Sequence, residues 1–117
     1  MGIESHKGFF KTRDEVFDDI KATGFWPTTY KSNASQTVPI HWHHIDVHGY
    51  ILSGHFSLLD GESSQQLDFE QGDKFVVPAR TLHAECAIKE DVLMILALSE
   101  PGVFTDLLEQ VSPELLV

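Results

Sequence analysis

Residues 41–54 read His-Trp-His-His-Ile-Asp-Val-His-Gly-Tyr-Ile-Leu-Ser-Gly and decide the fold and the candidate site together. The first and third positions of this stretch are His41 and His43, and they follow a proline in a segment of β-type composition. Residues two apart on a strand project from the same face of a sheet. Both imidazoles therefore converge on one point, and imidazole is the commonest metal ligand in proteins. The stretch predicts β structure that carries a pair of metal ligands.

The same stretch contains a helical alternative, because His44 and His48 have the four-residue spacing of two ligands on one helix face. A zinc-protease helix needs a Glu directly after its first His, and Ile45 stands there instead. The β-branched residues Ile45 and Val47, followed by a glycine, also disfavour a helix. We therefore interpret the segment as β structure.

A third ligand has to come from another part of the chain, and His83 is the best candidate. It ends the stretch Gly72-Asp-Lys-Phe-Val-Val-Pro-Ala-Arg-Thr-Leu-His83, in which an apolar strand lies between two turns. Antiparallel pairing can return this strand to the side of His41 and His43. Glu85 follows on the same predicted strand face, as a partner of the ligands or a general base. The simpler alternative for Glu85 is an exposed carboxylate without a role.

Short β-type runs separated by turn signals occupy the middle of the chain. Asp60-Gly61 and the cluster at residues 71–73 mark two of the turns. Regular spacing of short strands, without helices between them, indicates an antiparallel barrel or sandwich rather than a βαβ fold. The predicted strands are Thr28–Lys31, Thr37–His43, Val47–Ser53, His55–Leu59, Gln65–Phe69, Lys74–Val77, Leu82–Ala87 and Val92–Leu98.

Helices are predicted only at the two ends of the chain. Thr12 and Glu15 form a capping box at the start of the first helix, and Gly24 stops it. The second helix begins near Pro101 and ends at Pro113. The apolar positions with helical spacing in this second segment are Phe104, Leu107, Leu108 and Val111.

The two histidine stretches resemble the paired motifs of the cupin superfamily, which are small jelly-roll barrels. The first cupin motif is His-x-His, then three or four residues, a Glu, six further residues and a Gly. The second is Gly, five residues, Pro-x-Gly, two residues and His, followed after three residues by Asn. Arg80 replaces the second Gly here, and Ala87 replaces the Asn. The positions that match in order and spacing are His41, His43, Gly54, Gly72, Pro78 and His83.

This resemblance implies an all-β, antiparallel jelly-roll (cupin) barrel with a short N-terminal helix and a short C-terminal helix. The whole chain, residues 1–117, then forms a single cupin domain whose barrel core lies at about residues 28–98. Cupins commonly hold a divalent metal ion with the histidines of the two motifs. The resemblance therefore assigns His41, His43 and His83 as metal ligands.

The usual glutamate of the first motif is absent. Counting back from Gly54 along the strand places its position at Val47, whereas counting forward from His43 places it at His48. Counting back from Gly54 is the more secure of the two, because a one-residue shift in strand register would turn every side chain to the other face. We infer that Val47 replaces the glutamate. His48 remains a candidate fourth ligand, with a surface histidine as the alternative.

The pattern from Val47 to Gly54 is similar to the cupin branch that includes dihydroxyacetophenone dioxygenase and the ChrR-like cupins. Iron held by three histidines is implied, in a dioxygenase that acts on a small oxygenated compound, aromatic or diketone-like. Some members add a carboxylate from beyond the next strand, where Asp60 and Glu62 stand. Imidazole ligation also suits Zn, Ni, Mn and Cu. The alternatives are a non-catalytic cupin that senses a metal or small ligand with a regulatory partner protein, and a cupin without metal.

Charge and composition narrow the classes of partner. Eight Lys+Arg stand against 18 Asp+Glu, and the formal net charge of −10 disfavours nucleic acids and anionic membrane surfaces. Cys86 is the single cysteine, so no internal disulfide forms, and residues 1–10 lack an apolar signal core. We therefore expect a cytoplasmic protein. Dimers are common among cupins, and an exposed sheet edge gives a physical reason for pairing, so the sequence leaves both a monomer and a homodimer open.

Overall fold

The structure is a computed structural model that describes residues 2–101 and 110–116. Its elements are mainly short strands, and a single α-helix precedes most of them within the described ranges. In chain order the elements are β1 (Glu4–His6), α1 (Arg13–Thr23), β2 (Trp26–Ser32), β3 (Val47–Ser53), β4 (His55–Asp60), β5 (Gln66–Glu70), β6 (Lys74–Val77), β7 (His83–Glu85), β8 (Val92–Leu98) and a 3-10 turn (Pro113–Leu115).

The strands form two antiparallel sheets. The larger sheet has the order β1-β6-β3-β8-β2, and the smaller one has the order β5-β4-β7. This confirms the predicted all-β, antiparallel fold class. The barrel is not closed, however, because no continuous strand ladder joins the two sheets in the described residues. The segment at residues 37–43, predicted as a strand, contributes only isolated bridges at His41 and Trp42, and Pro39 within it has no backbone N–H to donate.

The hydrophobic core lies between the two sheets. It combines side chains from β3, β6 and β8 with side chains from β4 and β5. Burying a large apolar side chain contributes about 1.5–3 kcal/mol, so this layer is the main source of cohesion between the sheets. Its buried members are Ile45, Val47, Ile51, Phe56, Leu58, Phe69, Phe75, Val77, Ile88, Val92, Met94, Leu96 and Leu98.

Helix α1 packs against the outer face of the larger sheet. Its ends follow the sequence signals, because Thr12 and Glu15 form the predicted capping box and Gly24 adopts the left-handed conformation, with φ of 76°. Val16 and Ile20 are buried against the side chains of the sheet. Strands β3 and β8 are thus covered on both faces, which explains their nearly continuous apolar sequences.

A group of three polar side chains ties α1 to the sheet. One carboxylate oxygen of Asp19 accepts hydrogen bonds from the Tyr50 hydroxyl, at 2.5 Å, and from the Lys74 ammonium, at 2.6 Å. Burial favours a raised pKa for Asp19, but the hydrogen bonds from Lys74 and Tyr50 outweigh it and the pKa is lowered. The ion pair between Asp19 and Lys74 therefore stabilises the packing of α1 against the sheet.

The C-terminal helix was predicted largely on residues 102–109, which lie outside the described residues. Val111, its last predicted apolar position, is not helical. Its N–H and C=O exchange hydrogen bonds with Trp42, at 3.1 and 3.2 Å, in an antiparallel bridge. Pro113, predicted to end the helix, begins the 3-10 turn. None of the helices in the described ranges is long and apolar enough to cross a membrane.

Candidate metal centre

The site is built around a bridge between two distant segments of the chain. His41 and His83 face each other as an antiparallel pair, and the N–H of each donates to the C=O of the other, at 2.8 and 2.9 Å. Their imidazole centroids lie 4.6 Å apart. The structure therefore places the second histidine stretch beside the first, as predicted.

His43 completes a triangle of imidazoles. Its ring centroid lies 5.0 Å from the centroids of both His41 and His83. All three residues are buried, with exposed fractions of 2–6 %. Burying three polar rings in one place is costly unless their nitrogen atoms find partners, so the group is a candidate for metal binding rather than ordinary packing.

Glu85 is the fourth member of the group. Its carboxylate oxygen Oε2 lies 3.2 Å from Nε2 of His41 and 4.0 Å from Nε2 of His83. One ligand atom from each of His41, His43, His83 and Glu85 lies within 4.8 Å of the others. The structure thus brings together the three predicted histidines and the residue predicted as their partner or as a base.

Backbone carbonyl groups orient two of the imidazoles. Nδ1 of His41 lies 2.7 Å from the carbonyl oxygen of Pro39, and Nδ1 of His83 lies 2.8 Å from that of Thr81. A protonated Nδ1 that donates to a carbonyl leaves Nε2 with its lone pair, which is the usual arrangement for a metal-binding histidine. Both Nε2 atoms then face the centre of the group.

Two buried atoms at this centre lack a hydrogen-bond partner. They are Nε2 of His41 and Oε2 of Glu85, which face each other as an ion pair at 3.2 Å but without hydrogen-bond geometry. An unsatisfied buried polar atom costs about 1–3 kcal/mol, and two such atoms side by side are unusual in a stable core. A divalent cation between them would satisfy both, so the residues present fit a metal ion.

The charges within the group favour a cation. Burial would raise the pKa of Glu85, but the three neighbouring histidines outweigh it and hold the pKa below its usual value. Burial lowers the pKa of His83, which keeps that imidazole neutral at pH 7. For His41, burial lowers the pKa, but Glu85 and the Pro39 carbonyl together raise it above the usual value, so a metal ion bound there would displace the proton that Glu85 otherwise favours.

The other predicted ligands lie outside this group. His48 projects from the opposite face of β3 to Val47, and its ring packs at 4.5 Å from the Phe25 ring on the side of the sheet that α1 covers. Asp60 accepts a hydrogen bond from the backbone N–H of Glu62, at 2.9 Å, and so caps the turn after β4. Val47, at the position of the missing glutamate, is buried in the apolar wall.

A cavity of about 190 Å³ opens beside the group. His43, His83 and Glu85 supply its polar end, and side chains from both sheets form the remaining walls. A pocket with few polar groups in an apolar surround is typical of small-molecule sites, and this one is smaller than pockets for drug-sized ligands. The other lining residues are Tyr30, Val47, Phe56, Leu58, Phe75, Val77, Met94, Leu96 and Gln110.

Comparison with known proteins identifies the fold. No family model matches the sequence, and no curated protein matches it significantly. A conserved protein of unknown function from Streptococcus pyogenes is 25% identical over 66% of this chain and 65% of its own, with a TM-score of 0.53. A cupin-2 domain protein from Shewanella frigidimarina is 21% identical over 65% of this chain and 69% of its own, with a TM-score of 0.51. For KdgF from Halomonas sp. the identity is 26%, over 64% and 69%, and the TM-score is 0.53.

The fold is therefore of cupin type, as the two motifs predicted. Enzymes occur among the similar structures, for example the polyketide cyclase RemF from Streptomyces resistomycificus. RemF is 18% identical over 65% of this chain and 55% of its own, with a TM-score of 0.54. The finer resemblance to the dioxygenase and ChrR-like branch stays a prediction.

Proposed function

We propose that this protein is a metal-dependent enzyme in which His41, His43, His83 and Glu85 hold a divalent ion. The observation that carries the proposal is the cluster of four ligand atoms within 4.8 Å, at whose centre the buried atoms Nε2 of His41 and Oε2 of Glu85 lack hydrogen bonds. The cavity that opens from the same residues would hold a small substrate against the ion. Its chemical class is a small oxygenated compound, whose oxygen atoms suit a hard or borderline divalent ion.

Glu85 serves better as a ligand than as a general base. An efficient base has a pKa near the working pH, and the pKa of Glu85 is held below that of an ordinary glutamate by the neighbouring histidines. Its carboxylate also replaces the one that Val47 does not supply. With three imidazoles and one carboxylate, the set suits Fe, Zn, Mn, Ni or Cu.

Iron and dioxygenase chemistry are the finer part of the proposal. They are supported by the resemblance of residues 47–54 to the dihydroxyacetophenone dioxygenase branch. A bound divalent ion supplies Lewis acidity, and iron also supplies the capacity to use dioxygen. The chain's own part is to orient two imidazoles through backbone carbonyl groups, to neutralise charge through Glu85, and to exclude bulk water with the apolar walls.

Metal analysis of the purified protein, followed by oxygen-uptake assays, tests the proposal. We expect one divalent ion per chain, and iron-dependent oxygen consumption with diketones or hydroxyketones. Stoichiometric zinc without iron-dependent oxygen uptake would contradict the dioxygenase part. A protein that retains no metal after expression and takes up none in titration would contradict the metal site as a whole.

A further inference from the structure

Among the described residues that line the cavity beside the four-residue group, none is a lysine or an arginine. The chain has eight Lys+Arg residues, and all of them belong to the described ranges, 2–101 and 110–116. None of the eight is among the residues that line the cavity. The complete set is Lys7, Lys11, Arg13, Lys21, Lys31, Lys74, Arg80 and Lys89.

Strand alternation explains why the basic residues next to the cavity wall point elsewhere. Lys74 precedes the wall residue Phe75, and it lies on the opposite face of β6, where its ammonium contacts Asp19 at 2.6 Å. Lys31 follows the wall residue Tyr30 and is exposed. These residues are held to the outer face by the register of their strands, and rotamer changes would not bring their charges into the cavity.

Among the described residues that line the cavity, charge is therefore carried only by members of the four-residue group. Glu85 contributes one negative charge, and a divalent ion held by the group would leave one positive charge at that end. Apart from the exposed Gln110, the other described lining residues are apolar or aromatic. The Phe56 and Phe75 rings stack at 5.6 Å with an interplanar angle of 29°. An anionic group placed against these walls would lose its hydration without gaining a cationic partner.

We propose that the cavity selects compounds with an apolar, preferably aromatic body that carry no anionic group beyond the end that reaches the metal ligands. Compounds that carry a second anionic group at the opposite end, such as dicarboxylates, are thereby excluded, and monofunctional aromatic or aliphatic oxygen compounds are accepted. The inference rests on the proposed function in taking this cavity as the substrate site. It adds the selectivity that the apolar walls impose on the substrate.

A matched pair of probes tests the far end of the cavity in zinc-loaded protein. Terephthalate and 4-carbamoylbenzoate have the same number of non-hydrogen atoms and one carboxylate each for the ion, and differ in whether the opposite end is anionic or neutral. We expect 4-carbamoylbenzoate to bind at least tenfold more tightly by calorimetry or NMR titration. Equal affinity of the two probes would overturn the inference.

Metal-free protein gives a second measurement that does not depend on the ion. Benzamide, benzamidine and benzoate are matched in size and differ in charge, and no ion is present to attract the carboxylate. At pH 8 we expect NMR shift changes at the cavity residues with benzamide and benzamidine, and at least tenfold weaker binding of benzoate. Benzoate binding as tightly as benzamide, or no binding of any of the three, would overturn the inference.

A charge-adding variant links the selectivity to this cavity. Gln110 is exposed and lines the cavity, so Gln110→Lys places a cation at the opening without burying it. The affinity ratio in each probe set should fall to less than threefold. The matched control is Gln36→Lys, which adds the same charge at an exposed position outside the lining and should leave the ratio unchanged. An identical effect of both variants would attribute the ratio to net charge and contradict the inference.

These outcomes separate the two proposals. Failure of zinc uptake, together with the expected order of the benzamide series in metal-free protein, would remove the metal site and leave the selectivity of the walls. Tight zinc binding with equal affinity for terephthalate and 4-carbamoylbenzoate would leave the metal site and remove the selectivity.

Discussion

Replacement of Glu85 by Gln should abolish most of the stabilisation that zinc gives to this protein. A ligand that binds only the folded state stabilises it by about 2.7 kcal/mol at a free concentration one hundred times the Kd. Unfolding entropy of about 2.1 cal/mol/K per residue gives a chain of 117 residues about 0.25 kcal/mol per degree. The expected rise in Tm for the wild-type protein is therefore about 11 °C.

The amide of Glu85→Gln preserves the shape of the side chain and removes the charge that faces His41 at 3.2 Å. A loss of affinity of about one hundredfold is the scale seen when groups that support a metal site are removed. At the same zinc concentration, the stabilisation then falls to about 0.4 kcal/mol and the rise in Tm to less than about 2 °C.

Differential scanning fluorimetry with a fixed free zinc concentration measures these shifts. Glu62→Gln is the matched control, because this exposed carboxylate was an alternative ligand by sequence and lies outside the four-residue group. It should keep the full 11 °C shift, to within about 2 °C. A full shift in Glu85→Gln, or its loss in Glu62→Gln, would refute the assignment of the carboxylate ligand.

Three further predictions concern the scaffold. Asp19→Asn should lower the free energy of unfolding by about 3 kcal/mol in urea denaturation, because it leaves the buried Lys74 ammonium without its charged partner; an effect below about 1 kcal/mol would show that the pair is solvent-screened. Burial raises the pKa of Asp73, but Lys7 and backbone N–H groups outweigh it, so its folded pKa is below the unfolded value. The stabilisation that the Asp73 carboxylate contributes is present above the unfolded pKa of about 3.9 and is lost as pH falls through the folded pKa. Asp73→Asn should therefore make the free energy of unfolding fall less steeply as the solution is acidified. Gly54→Ala should destabilise by more than about 1 kcal/mol by thermal denaturation, since φ is +86° and a Cβ would meet the Asp91 carbonyl oxygen at 2.4 Å; unchanged Tm would contradict it.

Local sequence signals were sufficient for the parts of the fold that are decided locally. The bounds of β3, β6 and β8 agree with prediction, because these strands are apolar runs between clear turns and are buried on at least one face. The capping box at Thr12 fixed the start of α1 in the same way. Strand β1 was not predicted, since its three residues are all exposed and polar and carry no periodic pattern.

The non-local part of the site could be predicted only in outline. The two-residue spacing predicts that His41 shares a strand face with His43, and that Glu85 shares one with His83. It does not predict how these two pairs come together in space. That depends on one bridge between residues 41 and 83, in a segment that does not continue as a strand. Because residues 44–46 interrupt the strand pattern before β3 begins, counting from His43 could not place the fourth ligand. The sequence therefore leaves His48 as a candidate ligand, whereas the fold places it on the face of the sheet that α1 covers.

The position of the carboxylate ties the two proposals together. A glutamate at Val47 would reach the centre from the larger sheet, whereas Glu85 reaches it from β7 of the smaller sheet. The larger sheet is thus left with an apolar wall at Val47, beside Phe75 and Val77. Under the proposed function, moving the negative charge to the opposite sheet would keep three imidazoles and one carboxylate around the ion, and it would also lengthen the apolar surface available to a substrate. The same change that makes the motif irregular therefore accounts for a cavity in which the charged groups of the described lining residues lie at one end.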